Sequence, residues 1–215
     1  VRRFLRQNRW VLFSGTPCQV AGLKHFLRRD YDRLLTVDVV CHGVPSPLVW
    51  QTYLDSINPQ KARITTLSMR DKREGWKRYG MNIQTDNTIL YRGKAASNLY
   101  SQGYLDNLYL RPSCYACPAK KGRSHSDITL GDFWGIERVH PSIDDNRGIG
   151  LVLVNSPAGM NFYQSLSVFQ KMATYAQGLR GNPSLECSTP LPKAREEFWR
   201  RFPEEGMKCV SDIHK

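Results

Sequence analysis

The sequence predicts an α/β fold: a mixed β-sheet with flanking helices and an inserted antiparallel hairpin. Three observations predict it. Two strand–turn–helix units follow one another before Asn58, which implies parallel strands joined by right-handed crossovers. Ile64–Met69 and Tyr79–Gln84 alternate like strands, and Thr88–Tyr91 pairs back after Asp86-Asn87, the pattern of an antiparallel meander or hairpin. Beyond it, two short apolar runs, Ile128–Leu130 and Leu151–Asn155, read as strands returning to the main sheet.

Each element has its own signal. Arg2–Asn8 reads as the end of a basic helix, and Trp10–Ser14 is short and apolar, a buried strand. Gly15-Thr16-Pro17 turns the chain. Pro17 suits a first helical position, and Gln19–Arg29 is amphipathic, with Val20, Leu23, Phe26 and Leu27 on one face. Leu34–Cys41 is a second buried strand, rich in β-branched residues. It ends in the turn His42–Pro47, after which Leu48, Val49, Tyr53, Leu54 and Ile57 recur at helical spacing. Past the meander, Ser97–Leu110 reads as helical, Ser113–Ser126 as a cysteine-bearing basic loop, Ala158–Tyr175 as a helix, and a last helix lies near Lys193–Arg201. The tail from Gly178 is richer in proline and charge. The chain is therefore divided into a motif-bearing region, 1–175, and a C-terminal helical and loop extension, 176–215.

Composition bounds the function. The chain has 215 residues, 40% of them hydrophobic and 23% charged, which is ordinary for a globular domain and argues against disorder. The longest apolar run, Leu34–Cys41, is broken by Thr36 and Asp38 and falls short of the roughly 18 residues a membrane helix needs. The sequence starts at Val1, and no signal-peptide hydrophobic stretch follows Arg2, Arg3 and Arg6, so it is read as a fragment of a longer chain with its N-terminal part missing. A net charge of +12 suggests an anionic partner: nucleic acid, a phosphorylated cofactor or an acidic protein. The cations are scattered rather than gathered into a block, which argues against nucleic acid. Six cysteines without an export signal suggest a reducing, cytoplasmic setting, with the thiols free or metal-bound.

The cysteines carry the chemistry. Cys114-Tyr115-Ala116-Cys117 is a C-x-x-C pair, able to aim two thiolates at one metal; alone it is ambiguous among zinc, iron–sulfur and thiol redox use. The flanking Pro112 and Pro118 and the loop of Lys, Gly and Ser that follows favour metal. Cys18 lies in the first turn after the first strand and Cys41 at the carboxyl end of the second. In a parallel sheet these are neighbouring positions at one edge, where open α/β folds form ligand sites. Four such thiolates satisfy either zinc or a 4Fe–4S cluster, and a buried structural role for Cys18 and Cys41 stays open. Cys187 and Cys209 lack paired spacing and read as unliganded.

Five motifs occur in order: SGTPCQVAGLK (Ser14–Lys24), VCHGVPSP (Val40–Pro47), RDKREGW (Arg70–Trp76), SCYACP (Ser113–Pro118) and SDITLGDFWG (Ser126–Gly135). Together they resemble the C-terminal domain of the beta subunits of deazaflavin (coenzyme F-420) hydrogenases and dehydrogenases. The resemblance implies a 4Fe–4S cluster on Cys18, Cys41, Cys114 and Cys117, an FAD, and electron transfer between them. It also implies an electron donor or acceptor as partner, either a ferredoxin-like segment or protein or a deazaflavin coenzyme. Fuller members carry an amino-terminal portion of the fold, so FAD binding is expected to require the missing part, and this fragment is expected to be inactive alone.

Several motif residues have two readings. Thr16 and Gln19 could hydrogen-bond a flavin or phosphate, or simply form the first turn of a helix. Arg70, Lys72 and Arg73 near Trp76 suit a pyrophosphate beside a stacked ring, or an exposed basic hairpin. Asp132 could bond a ribose or flavin edge, or cap a turn among aromatic side chains. His42 could bond the cluster or a flavin, or be a turn histidine without a role. The expected function is an iron–sulfur flavoprotein oxidoreductase domain, with no catalytic acid or base assigned. Two alternatives are a non-enzymatic zinc-stabilised module binding an anionic partner, and a structural interaction domain with reduced thiols.

Overall fold

In the computed structural model, which describes residues 1–213, the elements run in the order α1 (Arg2–Arg6), β1 (Val11–Ser14), α2 (Pro17–Leu27), β2 (Leu34–Val39), α3 (Pro47–Ile57), β3 (Ile64–Asp71), β4 (Gly80–Thr85), β5 (Ile89–Lys94), α4 (Leu99–Leu105), β6 (Ile128–Asp132), β7 (Gly150–Val154), α5 (Pro157–Gln164), α6 (Tyr175–Arg180), α7 (Arg195–Glu205) and α8 (Lys208–Ile213). They belong to two compact units. The first comprises Val1–His42, Ala116–Asp144 and Gly148–Ser188; the second comprises Gly43–Tyr115, Asp145–Arg147 and the chain from Thr189 onward. The units cut across the sequence division at residue 175, and the extension contributes to both.

The first unit holds a four-stranded sheet in the order β1-β2-β6-β7. β1 pairs in parallel with β2, β2 in parallel with β6, and β7 returns antiparallel to β6, so the sheet is mixed as the sequence predicts. Two buried residues join β2 to the start of β6. The Thr36 N–H and hydroxyl both donate to Asp127 Oδ2 at 2.7 Å, and the Ser156 hydroxyl donates to Asp127 Oδ1 at 2.6 Å. Deeper along the same strands, the Thr129 hydroxyl donates to Asp38 Oδ1 at 2.6 Å. Buried polar groups are tolerated because each has a partner.

Two expectations for this unit are corrected. β1 is not a buried strand: it is the edge of the sheet, and Leu12 is 58% exposed with Trp10 at 72%. An edge strand has a neighbour on one side only, so an apolar run does not guarantee burial. Nor does one helix run from Ala158 to Tyr175. α5 stops at Gln164, where the Ser165 hydroxyl turns back to the Phe162 carbonyl at 2.7 Å, and a separate cap at Thr174, whose hydroxyl accepts from the Gln177 N–H, starts α6. Serine competing for nearby backbone is a known helix ender.

In the second unit, β3, β4 and β5 form a three-stranded antiparallel sheet, the meander extended by a strand beyond a simple hairpin. Met81 and Ile83 on β4 enter a core with Val49 and Tyr53 of α3, Tyr100 of α4, and Phe198 and Phe202 of α7. Tyr109 sits between Tyr100 and Phe198, with ring centroids 5.6 and 5.5 Å away, in the tilted geometry that aromatic pairs favour. Burial pushes the Tyr100 hydroxyl up to about 12 and the Tyr109 hydroxyl well above its ordinary value. The helix expected over Ser97–Leu110 is shorter: Asn98 caps α4 by accepting the Ser101 N–H at 3.1 Å, and Asn107 leaves the helix at φ 64°. The last helix runs past Arg201 to Glu205, and α8 follows it. The charged tail thus supplies core residues, Phe198 being fully buried.

Asp127 makes the first unit sensitive to acid. Burial alone would raise its carboxyl, but the hydrogen bonds from Ser156 and Thr36, aided by Lys24, outweigh it and hold the group below the ordinary carboxylate value. The folded state therefore binds the proton more weakly than the unfolded chain, whose Asp titrates near ~3.9. The stabilisation is complete above that value and is lost as pH falls through the lower folded value. Asp127→Asn should lose about 1–3 kcal/mol at neutral pH and show a shallower acid decline. Urea unfolding between about pH 3 and 7 measures both, and an acid limb as steep as in the unmodified chain would refute the assignment.

Candidate functional site

In the first unit, β1, β2 and β6 are parallel, so their carboxyl ends share one edge. Backbone pairing continues past the strand ends: the Gly15 N–H donates to the Val37 carbonyl at 3.1 Å, and the Val40 N–H to the Leu130 carbonyl at 2.7 Å. Val39 is the register partner of Leu130. Cys41 and Asp132, each two residues further on, therefore emerge at corresponding positions on that edge. Cys18 enters from the adjacent strand, at the second residue of α2. The edge carries Thr16, Cys18, Gln19, Cys41, His42 and Asp132 because three parallel strands end there.

Cys18 is exposed, and Thr16 Oγ1 lies 3.2 Å from its Sγ. Gln19 Oε1 accepts the Thr16 N–H at 2.9 Å and the Thr16 hydroxyl at 3.1 Å, so both polar residues take part in starting the helix. Cys41 and Cys117 are half-buried. The Cys117 N–H donates to Ser188 Oγ at 2.9 Å, and the Lys121 N–H to the Leu185 carbonyl at 2.9 Å. Lys120, only 7% exposed, donates from Nζ to the Cys41 carbonyl at 2.5 Å and to the Ser184 carbonyl at 2.7 Å. The loop after Cys117 is thus clamped between the end of β2 and the segment 183–188. Sequence reasoning read this loop as generically basic and missed Lys120, Ser184 and Ser188; nothing in the sequence distinguishes Lys120 from the exposed Lys121.

Cys114 belongs to the second unit, and its half-buried sulfur accepts the Val44 N–H at 3.4 Å. The Arg111 N–H donates to the Val44 carbonyl at 2.9 Å and the Ser46 N–H to the Tyr109 carbonyl at 2.8 Å, laying residues 43–46 along residues 109–111. Gly43 permits this approach. A Cβ there would stand 2.7 Å from Leu110 Cδ1 and 3.4 Å from Cys114 Cβ.

Arg70 and Lys72 also lie in the second unit. Arg70 stacks over the Tyr79 ring at 4.8 Å, and Lys72 Nζ reaches the Arg147 carbonyl at 3.3 Å. Arg73 is paired with Asp71. Trp76 is only 1% exposed, so its ring presents no open face on which a flavin could stack. Of the remaining cysteines, Cys187 is exposed and Cys209 is fully buried in the second unit's core, where burial pushes its thiol up.

All six cysteines are free thiols. Among the described residues, no three His, Cys, Asp or Glu side chains are grouped to hold a single metal ion. The donor chemistry suits an iron–sulfur cluster: thiols are its ligands, and a hydrogen bond to sulfur such as the one Cys114 accepts from the Val44 N–H would tune it. Among the described residues no helix is long and apolar enough to cross a membrane.

The family model for the carboxyl-terminal part of the coenzyme F420 hydrogenase/dehydrogenase beta subunit matches residues 8–175. No match is found among the curated proteins. Among solved structures, the chain is similar to one from the F420-reducing NiFe hydrogenase complex of Methanosarcina barkeri, studied by xenon derivatization, with 12% sequence identity and a TM-score of 0.40. That alignment covers 95% of this chain and 60% of the other, so the chain spans less than two thirds of that relative's length. With the family match covering most of its length, the chain belongs to the coenzyme F420 hydrogenase/dehydrogenase beta-subunit family, as a C-terminal domain.

Proposed function

We propose that the chain is the iron–sulfur domain of a flavoprotein oxidoreductase. Cys18, Cys41 and Cys117, with Cys114 three residues before Cys117, would hold a 4Fe–4S cluster that relays electrons to or from FAD or a deazaflavin-like acceptor. The observation that carries the reading is the parallel pairing of β1 with β2, which delivers the Cys18 turn and the Cys41 strand end to one edge. Bound there, the cluster would supply single electrons, and a flavin would convert them to two-electron chemistry.

The chain's own residues would hold and condition that site. Thr16 Oγ1 stands beside the Cys18 sulfur, and the Val44 N–H donates to the Cys114 sulfur. Ser188 holds the Cys117 backbone and the buried Lys120 the Cys41 backbone, so both positions are tied to segments distant in sequence. Arg70 and Lys72 are the cations proposed for the FAD pyrophosphate, with His42 and Asp132 at the sheet edge as further polar groups for the cofactors. The site of action proposed is the cytoplasm, with a ferredoxin-like protein or segment as the redox partner.

Protein purified without oxygen should contain about four iron and four sulfide per chain. Cys114→Ser and Cys117→Ser should each lose most of it, and Gly43→Ala should weaken retention by displacing Leu110 against the Cys114 turn. Cys187→Ala and Cys209→Ala should keep full iron, the latter losing only about 1 kcal/mol of stability. Stoichiometric zinc without labile sulfide would transfer the proposal to the zinc-stabilised module; iron loss in Cys187→Ala would mean that the ligand set is misassigned.

FAD binding is read by flavin fluorescence in a protein that also carries the amino-terminal portion of the fold. Arg70→Ala with Lys72→Ala should weaken it about tenfold or more, the equivalent of losing ~1.4 kcal/mol or more of phosphate contacts. An unchanged Kd would place the pyrophosphate elsewhere.

A further inference from the structure

The chain has 31 lysines and arginines, and among the described residues Lys120 is the one that is buried. Its surroundings are unusual for a buried cation. A buried ammonium is normally paired with a carboxylate, because desolvation is not recovered otherwise. Lys120 instead donates to two backbone carbonyls, those of Cys41 and Ser184. Among the described residues no carboxylate pairs with it. The ammonium has three N–H groups, and the two carbonyls use two of them. Carbonyl oxygens carry only partial charge, so among the described residues this ammonium is buried without an ion-paired carboxylate, bonded to the backbone of a proposed ligand. Other buried polar groups of this unit differ: Asp127 and Asp38 accept hydrogen bonds from neighbouring hydroxyls, as carboxylates in a polar sheet face do.

A 4Fe–4S cluster held by the four proposed thiolates would supply an anion beside this cation. It carries net negative charge, and that charge grows by one on reduction. We propose that Lys120 is the cluster's countercharge and a positioning residue for Cys41. It holds the ligand backbone in place and stabilises the reduced cluster over the oxidised one. The inference rests on the iron–sulfur reading above and extends it to the control of potential. A fixed positive charge in a low-dielectric setting favours the more negative oxidation state, so it raises the midpoint potential. Reduction would add one electron from the external reductant to the cluster; Lys120 makes and breaks no covalent bond.

The test compares Lys120→Met, Lys120→Gln and Lys120→Arg with the unmodified protein, all purified without oxygen. Lys121→Met, altering the exposed neighbour, serves as the control. Iron and sulfide are measured first. The potential is then titrated with dithionite and redox mediators, following the reduced cluster by electron paramagnetic resonance. Lys120→Met should move the midpoint to a more negative value by at least a factor of ten in the reduced-to-oxidised ratio, about 59 mV for one electron. Lys120→Gln, which keeps hydrogen-bond donors without the charge, should move it in the same direction and serves if the methionine variant fails to fold. Lys120→Arg and Lys121→Met should stay close to the unmodified value. A cluster-bearing Lys120→Met or Lys120→Gln with an unshifted midpoint overturns the countercharge while leaving the iron–sulfur reading intact. Unmodified protein without iron and sulfide overturns both.

Discussion

The parallel pairing of β2 on both of its edges is the constraint on which the first unit depends. A parallel strand cannot be joined to its neighbour by a tight turn, so each connection must cross over and each strand must end at the same edge. Everything chemically distinctive in the first unit follows from that geometry. The turn after β1, the end of β2 and the end of β6 arrive together, carrying Cys18, Cys41 and Asp132. The buried Thr36–Asp127 bonds fasten β2 to the start of β6, which keeps the register from slipping. A one-residue slip would turn Asp38 and Thr36 to the other sheet face and leave the Asp127 carboxylate without its donors.

The second unit is built on a different principle. Its meander pairs locally, strand to next strand, and its core is aromatic, with Tyr53, Tyr100, Tyr109 and Phe198 in tilted contact. The phenol groups buried there are satisfied where bonds are present: Asn98 donates to the Tyr53 hydroxyl, and the Tyr109 hydroxyl donates to the Tyr100 carbonyl. α7, from the charged tail, completes this core and orders its own surface through Arg201, which pairs with Glu197, Glu205 and Asp212. Such exposed pairs contribute little individually, and the burial of Phe198 and Phe202 is the larger effect.

Much of this was legible in the sequence because the signals were local. Hydrophobic period, Pro17 at a helix start, β-branched runs and the Asp86-Asn87 reversal each report on a few neighbouring residues, and the strands and helices they imply are present. The misread elements have one physical cause: local pattern does not say what lies alongside. Trp10–Ser14 has the composition of a core strand but receives only one neighbour. Leu166, Val168 and Phe169 continue a helical apolar pattern, yet Ser165 turns its hydroxyl to the backbone and the chain leaves the helix.

The sequence by itself determined the fold class, the order of the motifs and the thiols available as ligands, because these are written in residue type and short spacing. Tertiary structure decided which groups are buried and what they meet. Lys120 and Lys121 are adjacent and chemically identical, yet one is clamped between the Cys41 and Ser184 carbonyls and the other faces solvent. Ser188, 71 residues along the chain from Cys117, becomes its backbone partner. Trp76, beside the basic residues of its motif, is withdrawn into the interior. Burial and pairing are properties of segments distant in sequence, and only packing brings those segments together.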